Sequence, residues 1–247
     1  MAALPAEPNS CQVVILCGGK GVRLRERTAD MPKPLVEVGQ DPIVWHVMRI
    51  FESQGFSRFI LCLGYRGAQI EEYFAQVLSQ PEHAHLEVTL VHTGEETQTG
   101  GRLRRVAEYI DSDNFMLTYA DGLADIDVRA LLDFHQQHGK TATVTAVNPR
   151  SPFGELILNE DGAVERFAEK PLMKQWINGG YFVFRREFAS QVGEDDVLEQ
   201  QPLEDLARRG ELIARRHQGF WKCMDTYKDL VEMNELWAQP EVPWRTW

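Results

Sequence analysis

Val13–Pro34 reads VVILCGGKGVRLRERTADMPKP, an apolar run, a glycine turn and a basic run within two dozen residues. Val13 to Cys17 is short, apolar and β-branched enough for a buried strand, and Gly18, Gly19 and Gly21 let the backbone turn tightly and present N–H groups to an anion. Between Lys20 and Lys33 stand five basic residues (Lys20, Arg23, Arg25, Arg27, Lys33) against two acidic ones (Glu26, Asp30), in a chain whose net charge is −11. Positive charge so concentrated suits a small anion, phosphate above all. The spacing lacks the GK[ST] ending of a P-loop, and no glycine stands three residues after Gly21, so neither a Walker A site nor a dinucleotide fingerprint is supported.

Outward from this stretch, strand and helix patterns alternate. A helix at Pro42–Gln54 stops at Gly55, a strand follows at Phe59–Leu63 and a helix at Gln69–Leu78. Next come a strand at Val88–His92, a helix at Gly101–Tyr109, a strand at Phe115–Tyr119, a helix at Val128–His138 and a strand at Thr143–Val147. Repeated βαβ units imply a mostly parallel sheet with helices on both faces, and sites in such sheets collect at the carboxyl ends of the strands. After Pro149 the runs shorten to strands at Leu156–Leu158, Val164–Ala168 and Tyr181–Phe184, then helices near Pro202–Arg209 and Leu230–Trp237.

Composition sets limits. The chain has 247 residues, 43% of them hydrophobic, enough to bury a large core. A pI near 5.1 argues against a nucleic-acid partner. Cys11, Cys17, Cys62 and Cys223 are widely separated, as free thiols of a reducing cytoplasm would be. Residues 1–10 have neither a basic nor an apolar region and are read as a disordered extension, with no membrane partner expected.

The ordered motifs GGKGVRL, PKPLVEVGQDPIVWHVM, CLGYRGAQIEEYF, TGGRLRRVAEYI, TYADGLADID, FGELIL, EKP, INGGYFVF and FWKCMDTYKD, with the tail PWRTW, resemble the sugar-1-phosphate nucleotidyltransferases. Within them the likeness is to the glucose-1-phosphate cytidylyltransferases. The resemblance covers nearly all of the chain after Ser10. It implies an α/β fold, a Rossmann-like three-layer sandwich with a mostly parallel sheet, as one domain over 11–247 whose nucleotide half is about 11–150 and sugar-phosphate half about 151–247. It further implies CTP and a sugar 1-phosphate as substrates, Mg²⁺ as cofactor and a homo-oligomer.

Carried over residue by residue, the resemblance makes Arg23 and Lys33 catalytic cations, with Arg23 on the triphosphate and Lys33 reaching the α-phosphate and sugar phosphate. Leu16, Gly18, Gly19, Gly21, Val22 and Arg23 would surround the nucleotide, and Thr99, Gly101 and Arg102 the base. Gly154, Glu169, Lys170, Asn178 and Gly179 would hold the sugar phosphate, and Asp121 and Asp225 the metal. By themselves Asp121-Gly122 also reads as a turn, Asp225 as a helix cap and Asn178-Gly179 as a β-turn. The chain departs from the pattern where Val22 replaces a threonine, Ala120 replaces a glycine, and Phe74 crosses to Val88 without a longer segment. Another base or sugar, or an inactive nucleotide-sugar-binding regulator, stay open as alternatives.

Overall fold

The computed structural model describes residues 10–21, 24 and 30–247. Most of the predicted extension, residues 1–9, lies outside them, as do Val22 and Arg23. A seven-stranded sheet organises the chain: β1 Gln12–Leu16, β2 Arg58–Leu63, β3 Glu87–His92, β4 Asn114–Tyr119, β5 Ala142–Val147, β6 Ile177–Arg185 and β7 Leu212–His217. The order across it is β7-β5-β6-β4-β1-β2-β3. Only β6 runs antiparallel to its neighbours, so its first residues lie beside the carboxyl end of β4, with Tyr181 opposite Thr118.

The strand period of two sorts the core into two layers. Val13 and Ile15 of β1 face one apolar cluster with Phe59 and Leu61, while Val14 and Leu16 face the other with Ile60 and Cys62. Into the first layer pack α1 Ile43–Glu52, α2 Gly67–Val77, α4 Val128–His138 and α7 Tyr227–Trp237; into the second pack α3 Thr99–Arg105, α5 Arg186–Gln191 and α6 Gln201–Arg208. The result is the expected three-layer α/β sandwich. The caps follow from the sequence: Asp127 accepts the Ala130 N–H at 2.8 Å to start α4, and Gly139 closes it in the left-handed region. The tail inserts Trp244, fully buried, against Trp237, and its indole N–H donates to His46 Nδ1.

Two expectations need correcting. The helix expected at Gly101–Tyr109 is α3, starting at Thr99 and ending at Arg105, followed by a separate 3-10 turn Ala107–Tyr109. Val106, at φ −102° and ψ 2°, leaves the helical region and breaks the run. Strand β6 begins four residues before the expected Tyr181, and its pairing with β5 is irregular between Asn178 and Phe182. The strands β7 and Trp221–Cys223 and the helix α5 were not expected at all.

Candidate active site

A cleft of about 660 Å³ opens at the carboxyl ends of β1 and β4 and the start of β6, a size usual for small-molecule sites. Its floor is the glycine loop. The Gly18 carbonyl accepts from Tyr65 N–H and from the Arg102 guanidinium, which packs so closely that a Cβ on Gly18 would lie 2.0 Å from it. Gly21 takes a positive φ of 60°, as a glycine turn requires. Leu16, Gly18, Gly19 and Gly21 all line the cleft. Lys20 reaches across the mouth to Glu96 at 2.5 Å.

Opposite this loop stands Lys33, on a 3-10 turn Lys33–Leu35 that is set by the flanking Pro32 and Pro34. Its ammonium lies 2.5 Å from Asp121 Oδ2 and 3.1 Å from Asp225 Oδ1, and its side chain is 14% exposed. Burial alone would lower the Lys33 pKa, but Asp121 and then Asp225 outweigh it and hold the ammonium above its ordinary value. The two aspartates are distant in sequence and meet through a short ladder. Gly122–Ala124 pairs antiparallel with Trp221–Cys223, Gly122 opposite Cys223, and Met224 N–H donates to the Asp121 carbonyl. Asp121 therefore sits in the turn just before this strand, and the helix cap beside Asp225 is Thr226, in a capping box with Asp229.

Two carboxylates brought together at one cationic nitrogen keep a further oxygen each with which one small cation could be shared. Among the described residues no third His, Cys, Asp or Glu joins them. That suits Mg²⁺, which takes one or two carboxylates from protein and the rest of its shell from phosphate and water. Both thiols on the cleft wall are kept protonated, Cys17 by burial and Cys223, pushed up to about 12, by burial and then by Asp225. Neither is an activated nucleophile.

The residues expected around the base behave differently from one another. Arg102 lines the cleft, but its guanidinium is buried and donates to the carbonyls of Gly18, Leu63, Gly94 and Glu95 and to Thr93 Oγ1, so it braces the glycine loop against the Thr93–Glu95 segment. Thr99 lines the cleft and directs its hydroxyl to Glu199. Gly101 is turned away: its N–H points to the Asp196 carbonyl, and a Cβ would meet the Glu194 carbonyl at 2.0 Å, which is packing rather than base contact.

Of the residues expected at the sugar phosphate, Asn178 and Gly179 line the cleft, with the Gly179 carbonyl held by Trp221 Nε1 at 2.7 Å. Gly154, Glu169 and Lys170 lie at the base of the hairpin formed by strands Glu155–Leu158 and Val164–Ala168 and are not among the cleft-lining residues. They do sit together, since a Cβ on Gly154 would be 3.1 Å from Glu169 Oε2 and Lys170 Nζ is 3.8 Å from Glu169 Oε1. Trp221, Tyr119 and Glu199 were missed, each being a lone residue whose neighbours in space come from other segments.

The Nucleotidyl transferase family model matches residues 12–237. The chain belongs to this family. It is 44% identical over 256 residues to a glucose-1-phosphate cytidylyltransferase of Salmonella typhi, covering 96% of this chain and 99% of that one. It is 29% identical over 238 residues to the mannose-1-phosphate guanylyltransferase catalytic subunit beta of Drosophila melanogaster, spanning 94% of this chain and 64% of that protein. Among solved structures, HddC from Yersinia pseudotuberculosis shares the nucleotidyltransferase fold with a TM-score of 0.71 at 22% identity, covering 92% of this chain and all of that one.

Proposed function

We propose that this chain transfers a cytidylyl group from CTP to α-D-glucose 1-phosphate, giving CDP-glucose and pyrophosphate. The observation that carries the reading is the convergence of Lys33, Asp121 and Asp225 on one point of the cleft, in a chain 44% identical over nearly its whole length to a glucose-1-phosphate cytidylyltransferase. A phosphate oxygen of the sugar phosphate attacks the α-phosphorus of CTP in line. The new P–O bond forms as the bond to the β-phosphate oxygen breaks, and pyrophosphate leaves with that electron pair.

Both reactants are anions, so the site must lower the repulsion between them. Lys33 contributes a charge that the fold holds in place before any substrate arrives. The glycine loop presents backbone N–H groups to the triphosphate, and Arg23, by its place in the motif, adds a second charge on the leaving side. Asp121 and Asp225 would hold Mg²⁺, which when bound screens charge between the phosphates. No protein nucleophile is needed, in keeping with the two protonated thiols. Glu169 and Lys170 would complete the sugar-phosphate site from the hairpin. The four free cysteines accord with a cytoplasmic enzyme.

Pyrophosphate release measured with CTP, UTP, GTP and dTTP against glucose, mannose and galactose 1-phosphates tests the reading. CTP with glucose 1-phosphate should be the fastest pair and require a divalent metal. A clear preference for GTP or dTTP would overturn the base assignment.

A further inference from the structure

Glu199 stands outside the cleft wall, on the turn between Leu198 and α6, and is half-buried. Four segments meet at its carboxylate or one bond away. Tyr119 OH donates to Glu199 Oε1 at 2.5 Å, and Thr99 Oγ1 donates to Oε2 at 2.6 Å. Asn178 Nδ2 donates in turn to Tyr119 OH at 3.3 Å, and Leu198 N–H to Thr99 Oγ1 at 2.9 Å. The Leu198 N–H and the Asn178 amide N–H can only donate, and the two hydroxyls they reach pass their own protons on to Glu199, so every bond of the network runs toward this carboxylate.

The network is anchored at both ends. Leu198 is fully buried in the second core layer and holds the Glu199 turn in place. On the other side Gly180, at φ +80°, approaches the Tyr119 ring so closely that a Cβ would lie 2.7 Å from it, and Asn178 Oδ1 accepts the Gly180 N–H. The Tyr119 ring is thus gripped between β6 and Glu199, two residues before Asp121. Thr99 uses its only proton on Glu199, so its hydroxyl cannot donate to a base while this network stands.

From this geometry we infer that Glu199 is a positioning residue that ties the nucleotide side of the cleft, at Thr99, to the sugar side, at Asn178, through Tyr119. The inference rests on the reading of the cleft given above. Its consequence is that a change at Thr99 reaches a substrate that Thr99 does not face.

The test measures kcat and both KM values by pyrophosphate release for the unaltered chain, Thr99→Val, Tyr119→Phe, Glu199→Gln, Glu199→Ala and the double variant Thr99→Val with Glu199→Ala. Thr99→Val should raise KM for glucose 1-phosphate by about threefold or more, within the net scale of one lost hydrogen bond, and Tyr119→Phe should do the same. In the Glu199→Ala background Thr99→Val should add less than about twofold, because the two changes break the same network. Glu199→Gln keeps one accepting oxygen and should fall between the unaltered chain and Glu199→Ala. Thr99→Val that alters KM for CTP alone, or single effects that multiply in the double variant, would overturn the inference. If Glu199→Ala does not fold, by circular dichroism, Tyr119→Phe and Glu199→Gln decide alone: unchanged KM values with a lowered melting temperature would make the network merely structural. An unaltered chain without pyrophosphate release would instead overturn the proposed reaction.

Discussion

The cleft and the hairpin hold their charged groups in opposite ways. In the cleft, Lys33 is gripped by two aspartates, Arg102 by five acceptors and Tyr119 between Glu199 and Asn178. On the hairpin, Glu169 and Lys170 are 62% and 52% exposed in their side chains and face mainly each other, and Lys170 takes a positive φ of 45°. The hairpin is a two-stranded sheet with Leu156 opposite Phe167 and Leu158 opposite Val164, all four exposed. Such a sheet gains little rigidity on its own. Charges fixed before substrate arrives act on the transition state, whereas charges on an exposed arm act when substrate gathers them. Removing the preset charge of Lys33 should therefore cost turnover, and removing the charges of the hairpin should cost affinity.

The largest effect should come from Asp225→Asn, with a loss of turnover on the order of a hundredfold or more at low Mg²⁺. Part of it should return at high Mg²⁺, since the variant weakens support for the ion and leaves Lys33 with Asp121. Titrating Mg²⁺ against rate checks this. Near-normal turnover in folded protein would make Asp225 structural and erase the contrast between cleft and hairpin.

A smaller effect should follow Glu169→Gln, where the comparison is sharpened by substrate choice. A carboxylate accepting hydroxyl hydrogen bonds reads ring stereochemistry, and an amide reads it differently, so the ranking of glucose, mannose and galactose 1-phosphates by kcat/KM should change by about several-fold. An unchanged ranking would remove Glu169 from the sugar site.

The smallest effect concerns the scaffold behind both regions. Burial lowers the pKa of His46, and burial with His138 lowers that of His135 to about 4. In the unfolded chain both titrate near about 6.5. The fold thus prefers the neutral rings; their stabilisation is complete above about pH 6.5 and is lost as pH falls from there, down to about 4 for His135. The melting temperature should drop between pH 7 and pH 5, and His135→Gln should flatten that slope. A flat profile in the unaltered chain would contradict the neutral, buried state of these rings.

How far the sequence could be read follows the same division. β1, α1, β2, α2, β4 and α4 were legible because each carries a clean period and a local stop such as Gly55 or Gly139. Helix α5 is only six residues long, and β7, LIARRH, sits at the sheet edge with two arginines in its run, so neither gives a strong pattern. At the site, the glycine loop and PKP are local motifs and could be recognised as such. The meeting of Asp121 with Asp225 depends on the ladder between Gly122–Ala124 and Trp221–Cys223, which no local pattern announces. Glu199 lies in EQQPLEDL, where it reads as one more solvated acid; the one available signal was Leu198 beside it and Pro202 opening a helix.

The most direct test of the difference between the two regions is to compare Lys33→Ala and Lys170→Ala in one assay with CTP and glucose 1-phosphate. Lys33→Ala should lower kcat on the order of a hundredfold, without recovery at high Mg²⁺ and with a small change in KM for the sugar phosphate. Lys170→Ala should raise that KM about tenfold with kcat nearly kept. If both variants moved the same kinetic parameter by similar factors, the division between a preset cleft and a substrate-gathered hairpin would be contradicted.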